Sequence, residues 1–187
     1  MKVRDILIPE QSLISLVESL SWIPNDLNWS GDKGYFSVNE ERFVATVRPA
    51  TSNEESTFSY FFDPIPKVGN VDFSMIVGTN SATQDTTRLM KSSAFKVFGG
   101  VAHIVSELKK KHGYEILLCI AKRKHSPTNF ESRVGAYEVI VDRAARNAGM
   151  DHVELLRTST EVVFVIFNYN LHAGIQAVQK HLNNYPR

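Results

Sequence analysis

Apolar positions recur along the chain with two periods, and the change between them divides the sequence. Ile6, Leu13, Leu16, Val17 and Leu20 follow a helical spacing after Pro9, which predicts an N-terminal helix within residues 1–24. Trp22-Ile23-Pro24 ends it, and Asn25–Asp32 reads as a loop. Tyr35–Val38 and Arg42–Arg48 then alternate as strands do, with Phe43, Ala45 and Val47 on one face. Pro49–Ser56 reads as a polar loop, Thr57–Phe62 as a third strand stopped by Asp63-Pro64, and Val71–Val77 as a fourth. The period then lengthens. Phe95, Phe98, Ala102, Val105 and Leu108 form a helical stripe capped by Ser93 and ended by Gly113. Glu115–Ala121 reads as a strand whose continuous apolar run, Ile116–Ala121, is the pattern of burial on both faces. Thr128 and Glu131 have capping-box spacing and open a helix through Val134, Tyr137, Ile140, Val141 and Ala144 to Gly149. Thr160–Asn168 is a last strand, and Leu171–Leu182 lies in a closing helix placed at 171–183.

This order predicts an α/β chain of α+β-like character. An N-terminal antiparallel meander is followed by β-α-β-α-β, in which crossover helices make neighbouring strands parallel, giving a mixed sheet. No repeat, linker or low-complexity tract interrupts the 187 residues, so a single domain, 1–187, is expected. The chain lacks G-x-G-x-x-G, G-K-[ST] and G-x-S-x-G, which removes the dinucleotide, P-loop and serine-hydrolase readings that depend on them.

Composition narrows the classes further. Apolar residues make up 43% and charged residues 22%, which excludes a disordered chain. No apolar run approaches the roughly 20 residues of a membrane span, and the first ten residues do not resemble a secretion signal. One cysteine, Cys119, allows no internal disulfide and reads as a buried, inert thiol. The six histidines show no metal-ligand spacing, so no metal is expected. The formal charge of +1 hides an imbalance. Residues 1–87 carry 6 basic and 12 acidic side chains, whereas residues 88–149 carry 12 and 5. Within that basic stretch Lys122, Arg123 and Lys124 follow the buried strand, with Arg133 about one turn into the next helix. Together they are the candidate binding surface, for an acidic protein or a phosphate backbone. Arg88, Lys91 and Lys96 flank the start of the preceding helix as a candidate anion site. The connection Thr79–Ser93 is long for a structureless link, which points to a functional loop or a mobile one.

The order of elements over residues 34–168 resembles the GNAT acetyltransferase fold. The segment Ser93–Val101, with Lys96, Val97 and Phe98, and the later Arg133 and Tyr137 also resemble small uncharacterised bacteriophage proteins. The first resemblance implies a core in which acetyl-coenzyme A lies on a glycine turn after the fourth strand, with Tyr137 as the candidate acid for the leaving thiolate. Glu54, Glu55 and Asp72 are available as a base. Thr79–Ser93, however, contains no glycine. The leading expectation is therefore a non-catalytic protein without a cofactor. It acts by binding a protein partner or virion subunits, and sits in a host cytoplasm or a virion and not in a membrane. A coenzyme A-dependent N-acyltransferase and a nucleic-acid-binding accessory protein are the alternatives.

Overall fold

A computed structural model describes residues 22–77, 81–83, 91–122 and 130–184. Its centre is one mixed sheet. In chain order the elements are β1 (Asn28–Ser30), β2 (Lys33–Val38), β3 (Glu41–Pro49), α1 (Ser52–Ser59), β4 (Val68–Val77) and β5 (Ser81–Thr83). There follow α2 (Lys91–His112), β6 (Ile116–Lys122), α3 (Phe130–Ala148), β7 (Asp151–Arg157), β8 (Glu161–Phe167), a 3-10 turn at Tyr169–Leu171 and α4 (His172–Asn184). The strands run β1-β2-β3-β4-β6-β8-β7 across the sheet, with β5 paired to β4. Among the described residues only β4 and β6 are parallel neighbours.

The alternating residues fall where period two requires. Phe36 and Val38 of β2, and Phe43, Ala45 and Val47 of β3, face α2 and are buried. The two strands are joined by Asn39 and Glu40, both at positive φ (50° and 69°), the conformation that matches the twist of a two-residue hairpin. α2 lies close against this hairpin because two glycines leave room. A Cβ on Gly34 would stand 2.7 Å from Ile104 of α2, and one on Gly100 would stand 2.6 Å from the Phe36 ring.

β6 is buried on both faces, as its unbroken apolar run predicts. Leu117, Cys119 and Ala121 face α2 and α3, while Ile116 and Leu118 face the second core formed with Phe58 of α1 and Ile175 and Val178 of α4. Ile120, at the open end of the strand, is half-buried. Phe164 and Ile166 lie in β8, the neighbouring strand. The expected ends of α2 and α3 also hold: Gly113 and Gly149 take positive φ (66° and 63°) just after them.

Four expectations are corrected. Thr57–Phe62 is not a strand. Thr51 caps α1, its Oγ1 accepting from the Glu54 N–H at 3.4 Å while its own N–H donates to Glu54 Oε2 at 2.7 Å. That capping box carries helix through Thr57 and Phe58, and the polar loop expected at Pro49–Ser56 holds the start of it. The fourth meander strand is instead β1, inside the loop expected at Asn25–Asp32. Asp151–Arg157 forms β7, which was not anticipated; β8 turns back from it and inserts beside β6, so β6 and β8 are antiparallel. Finally, α2 begins at Lys91, which puts Ser93 inside the helix and not at its cap. The N-terminal helix expected before Trp22 and the Thr128 cap lie outside the described residues.

Candidate functional site

The parallel pair β4 and β6 stay together for only four residues, Val68–Val71 against Ile116–Cys119. Beyond that they part. β6 runs on to Lys122 paired with β8, and β4 runs on to Val77 paired with β3. The result is a fork at the C-terminal ends of two parallel strands, the position where open α/β sheets hold ligands. The fork is not empty. On the edge of β4 opposite β3, Ser81–Thr83 of β5 pair with Met75–Val77. Between β6 and β5 only Asp72, Phe73 and Ser74 are left without a strand on that edge.

The helical side of the fork is filled by two rings. Phe73 of β4 and Tyr137 of α3 pack with centroids 5.2 Å apart and planes 45° to each other. Both are buried. Burial pushes the Tyr137 phenol above the ordinary tyrosine range; Cys119 and Asp72 add to the shift and Arg133 opposes it. Cys119 is fully buried, and burial pushes its thiol up to about 12. It is an inert core thiol at neutral pH.

On the other face of β4 a polar cluster ties α1 to the sheet. Arg48 Nη1 and Nη2 donate to the two Glu54 carboxylate oxygens, each at 3.0 Å, and Arg48 Nε lies 3.4 Å from Asp72. The buried Asn70 amide also donates to Glu54. The Arg48 guanidinium, with Thr51, holds the Glu54 carboxyl well below its usual range, at about 2. So tight a carboxylate is a poor proton acceptor, which removes Glu54 from the candidate bases. Glu55 is exposed in the first turn of α1, away from any such network. Beside the cluster a cavity of about 600 Å3 opens between α1, α4 and the β7–β8 turn, with Leu118, Ile120 and Val163 at its floor.

The basic residues singled out from sequence are distributed as follows. Arg133 Nη1 donates to the Lys122 backbone carbonyl at 3.0 Å, so the Arg133 side chain adjoins the end of β6. The Lys122 side chain is exposed, and alternation along β6 puts it on the face of Leu118, opposite Glu161 of β8. α3, which carries Arg133, packs on the other face. Arg123, Lys124 and Arg88 lie outside the described residues, Lys91 is the first residue of α2, and Lys96 is half-buried one turn later. Sequence reasoning missed β5 and Phe73 at the fork, since neither carries a chemical signature. Asp72 was named, and the structure sets it beside the fork.

Among the described residues no three His, Cys, Asp or Glu side chains gather as a metal site requires, and no helix is long and apolar enough to cross a membrane. No protein-family model, curated protein or solved structure matches the chain.

Proposed function

We propose that the chain is a non-catalytic binding protein built on an acetyltransferase-like scaffold of the GNAT type. The strand order, with β8 inserted between β6 and β7 and a fork between two parallel strands, supports the scaffold. The observation that carries the loss of catalysis is β5. The resemblance implies a thioester cofactor on a glycine turn just after the strand equivalent to β4. Here that place holds β5, which pairs with β4 from Met75 onward. The stretch Thr79–Ser93 offers no glycine to bring backbone amides onto a pyrophosphate. Glu54 is held too acidic to act as a base. A scaffold of this kind keeps its surfaces and loses its chemistry. The resemblance to bacteriophage proteins makes a virion subunit, or another phage or host macromolecule, the expected partner.

The test is a melting curve with acetyl-coenzyme A. A ligand at a hundredfold excess over its dissociation constant stabilises by about 2.7 kcal/mol, a readily measured shift. The expected result is no shift. A clear shift that Tyr137→Phe abolishes without unfolding the protein restores the acyltransferase reading, which the fork and Tyr137 alone favour.

A further inference from the structure

Both tryptophans of the chain line the same groove, on the outer side of α2. Two adjoining hollows of about 500 and 240 Å3 share His103 and Glu107 of α2. The larger is walled by Trp29 and Lys111, the smaller by Trp22, Lys110 and Arg143. Several short-range features build it. Asp32, in the β1–β2 turn, accepts from Lys111 Nζ and meets His112 Nε2, each at 2.8 Å, which fastens the β1 hairpin to the end of α2. Trp22 packs against Phe36 with ring centroids 6.2 Å apart, which anchors one indole in the core at the groove's edge. Gly99, without a side chain, lines the smaller hollow.

The lining has two chemistries at once. Trp29 is 44% exposed, on a strand whose three residues all face solvent. Three cations, Lys110, Lys111 and Arg143, stand against two carboxylates, Glu107 at 3.1 Å from Lys110 and Asp32 at 2.8 Å from Lys111, so the groove keeps an excess of positive charge. Arg143 Nε is buried without a hydrogen-bond partner among the described residues. A donor left in that state carries a desolvation penalty that an acceptor reaching it relieves. An aliphatic ligand would leave the excess positive charge and the Arg143 donor unanswered, and an acidic peptide would leave the indoles unused. Duplex nucleic acid offers phosphates but keeps its bases stacked on each other. A single strand presents both anionic phosphates and free aromatic faces.

We propose that this groove binds single-stranded nucleic acid, with a base stacked on Trp29 and phosphates held by Lys110, Lys111 and Arg143. The groove does not depend on the fork being closed, so the two readings stand or fall separately.

Tryptophan emission tests it directly, because both indoles lie in the groove. Titrating the protein with a twenty-nucleotide oligothymidylate at low salt is expected to quench the emission to saturation. The affinity should fall steeply with added salt, and Arg143→Gln should reduce the log–log slope by about 0.7 for the lost phosphate contact. Trp29→Ala should weaken binding about fivefold or more, and Trp29→Phe should restore most of it, at unchanged melting temperature. The proposal is overturned if saturating oligonucleotide leaves the emission unchanged, or if Trp29→Ala binds as the parent does. It is also overturned if polyglutamate quenches equally well, which would assign the groove to an acidic protein.

Discussion

Phe73 and Tyr137 meet ring to ring, 5.2 Å apart, across the point where β4 and β6 separate. One ring comes from a strand on one side of the fork and the other from the helix that follows the strand on its far side. The phenol sits where an acyl-transfer acid is expected by resemblance, yet its surroundings are those of a core residue.

That setting fixes how substitutions at this position behave. Tyr137→Ala should cost about 3–5 kcal/mol in urea unfolding, the usual penalty for deleting a buried aromatic ring. Tyr137→Phe keeps the ring contact and should stay within about 1.5 kcal/mol of the parent. Equal losses in the two variants would mean that the hydroxyl, not the ring, holds the fork together.

Glu54 gives the acid limb of stability a definite origin. Its folded pKa, about 2, lies below the ordinary 4.5, so the folded state binds this proton less readily than the unfolded one. The stabilisation is complete above pH 4.5 and disappears as the pH falls towards 2. Glu54→Gln should flatten stability across that window. Glu54→Ala should also lower stability at neutral pH by about 2 kcal/mol, through loss of the α1 cap and of the Asn70 acceptor. Urea titrations at several pH values read both effects.

Cys119 shifts the opposite way. Its folded pKa, about 12, lies above the ordinary 9.0, so the unfolded chain ionises first as the pH rises. Stability is unaffected below pH 9 and declines between 9 and 12. In native protein at pH 8 the thiol should resist a disulfide reagent for hours and react stoichiometrically once denatured. Rapid native labelling would contradict a closed core at β6.

The close packing of α2 on the β2 hairpin should be intolerant of a single methyl group. Gly100→Ala places a Cβ 2.6 Å from the Phe36 ring, and Gly34→Ala places one 2.7 Å from two atoms of Ile104. Each should cost about 1–3 kcal/mol by thermal or urea unfolding. Gly135→Ala meets nothing within 4 Å and serves as the control within a helix, where alanine is favoured.

Much of the second half was legible because its elements bury one strong periodic face. The stripe of α2, the unbroken run of β6 and the β-branched run of β8 each leave one reading. Thr57–Phe62 misled because five of its six residues are aromatic or β-branched, whereas the deciding signal was the Thr51–Glu54 capping box just before it. β7 was missed because Asp151–Arg157 lies at a sheet edge, half-buried along most of its length, with a bulge between Glu154 and Leu156 that breaks the alternation. The fork could not be read from sequence at all. It exists because two strands 48 residues apart in register diverge after four pairs, and no local pattern records where pairing stops. The groove at Trp29 has the same character: β1 and α2 meet through Asp32 and Lys111, 79 positions apart.

The shortness of the β4–β6 seam also sets how the sheet bears load. Eight residue pairs join β3 to β4 and seven join β6 to β8, but only four join the two halves. A pull that grips β2 or β3 on one side and β8 on the other therefore opens the sheet at that line first. It leaves two internally bonded plates, β1 to β5 and β6 to β8, tethered by α2. For a protein held in a larger assembly, that line is where strain transmitted through its contacts would be released before either plate unravels.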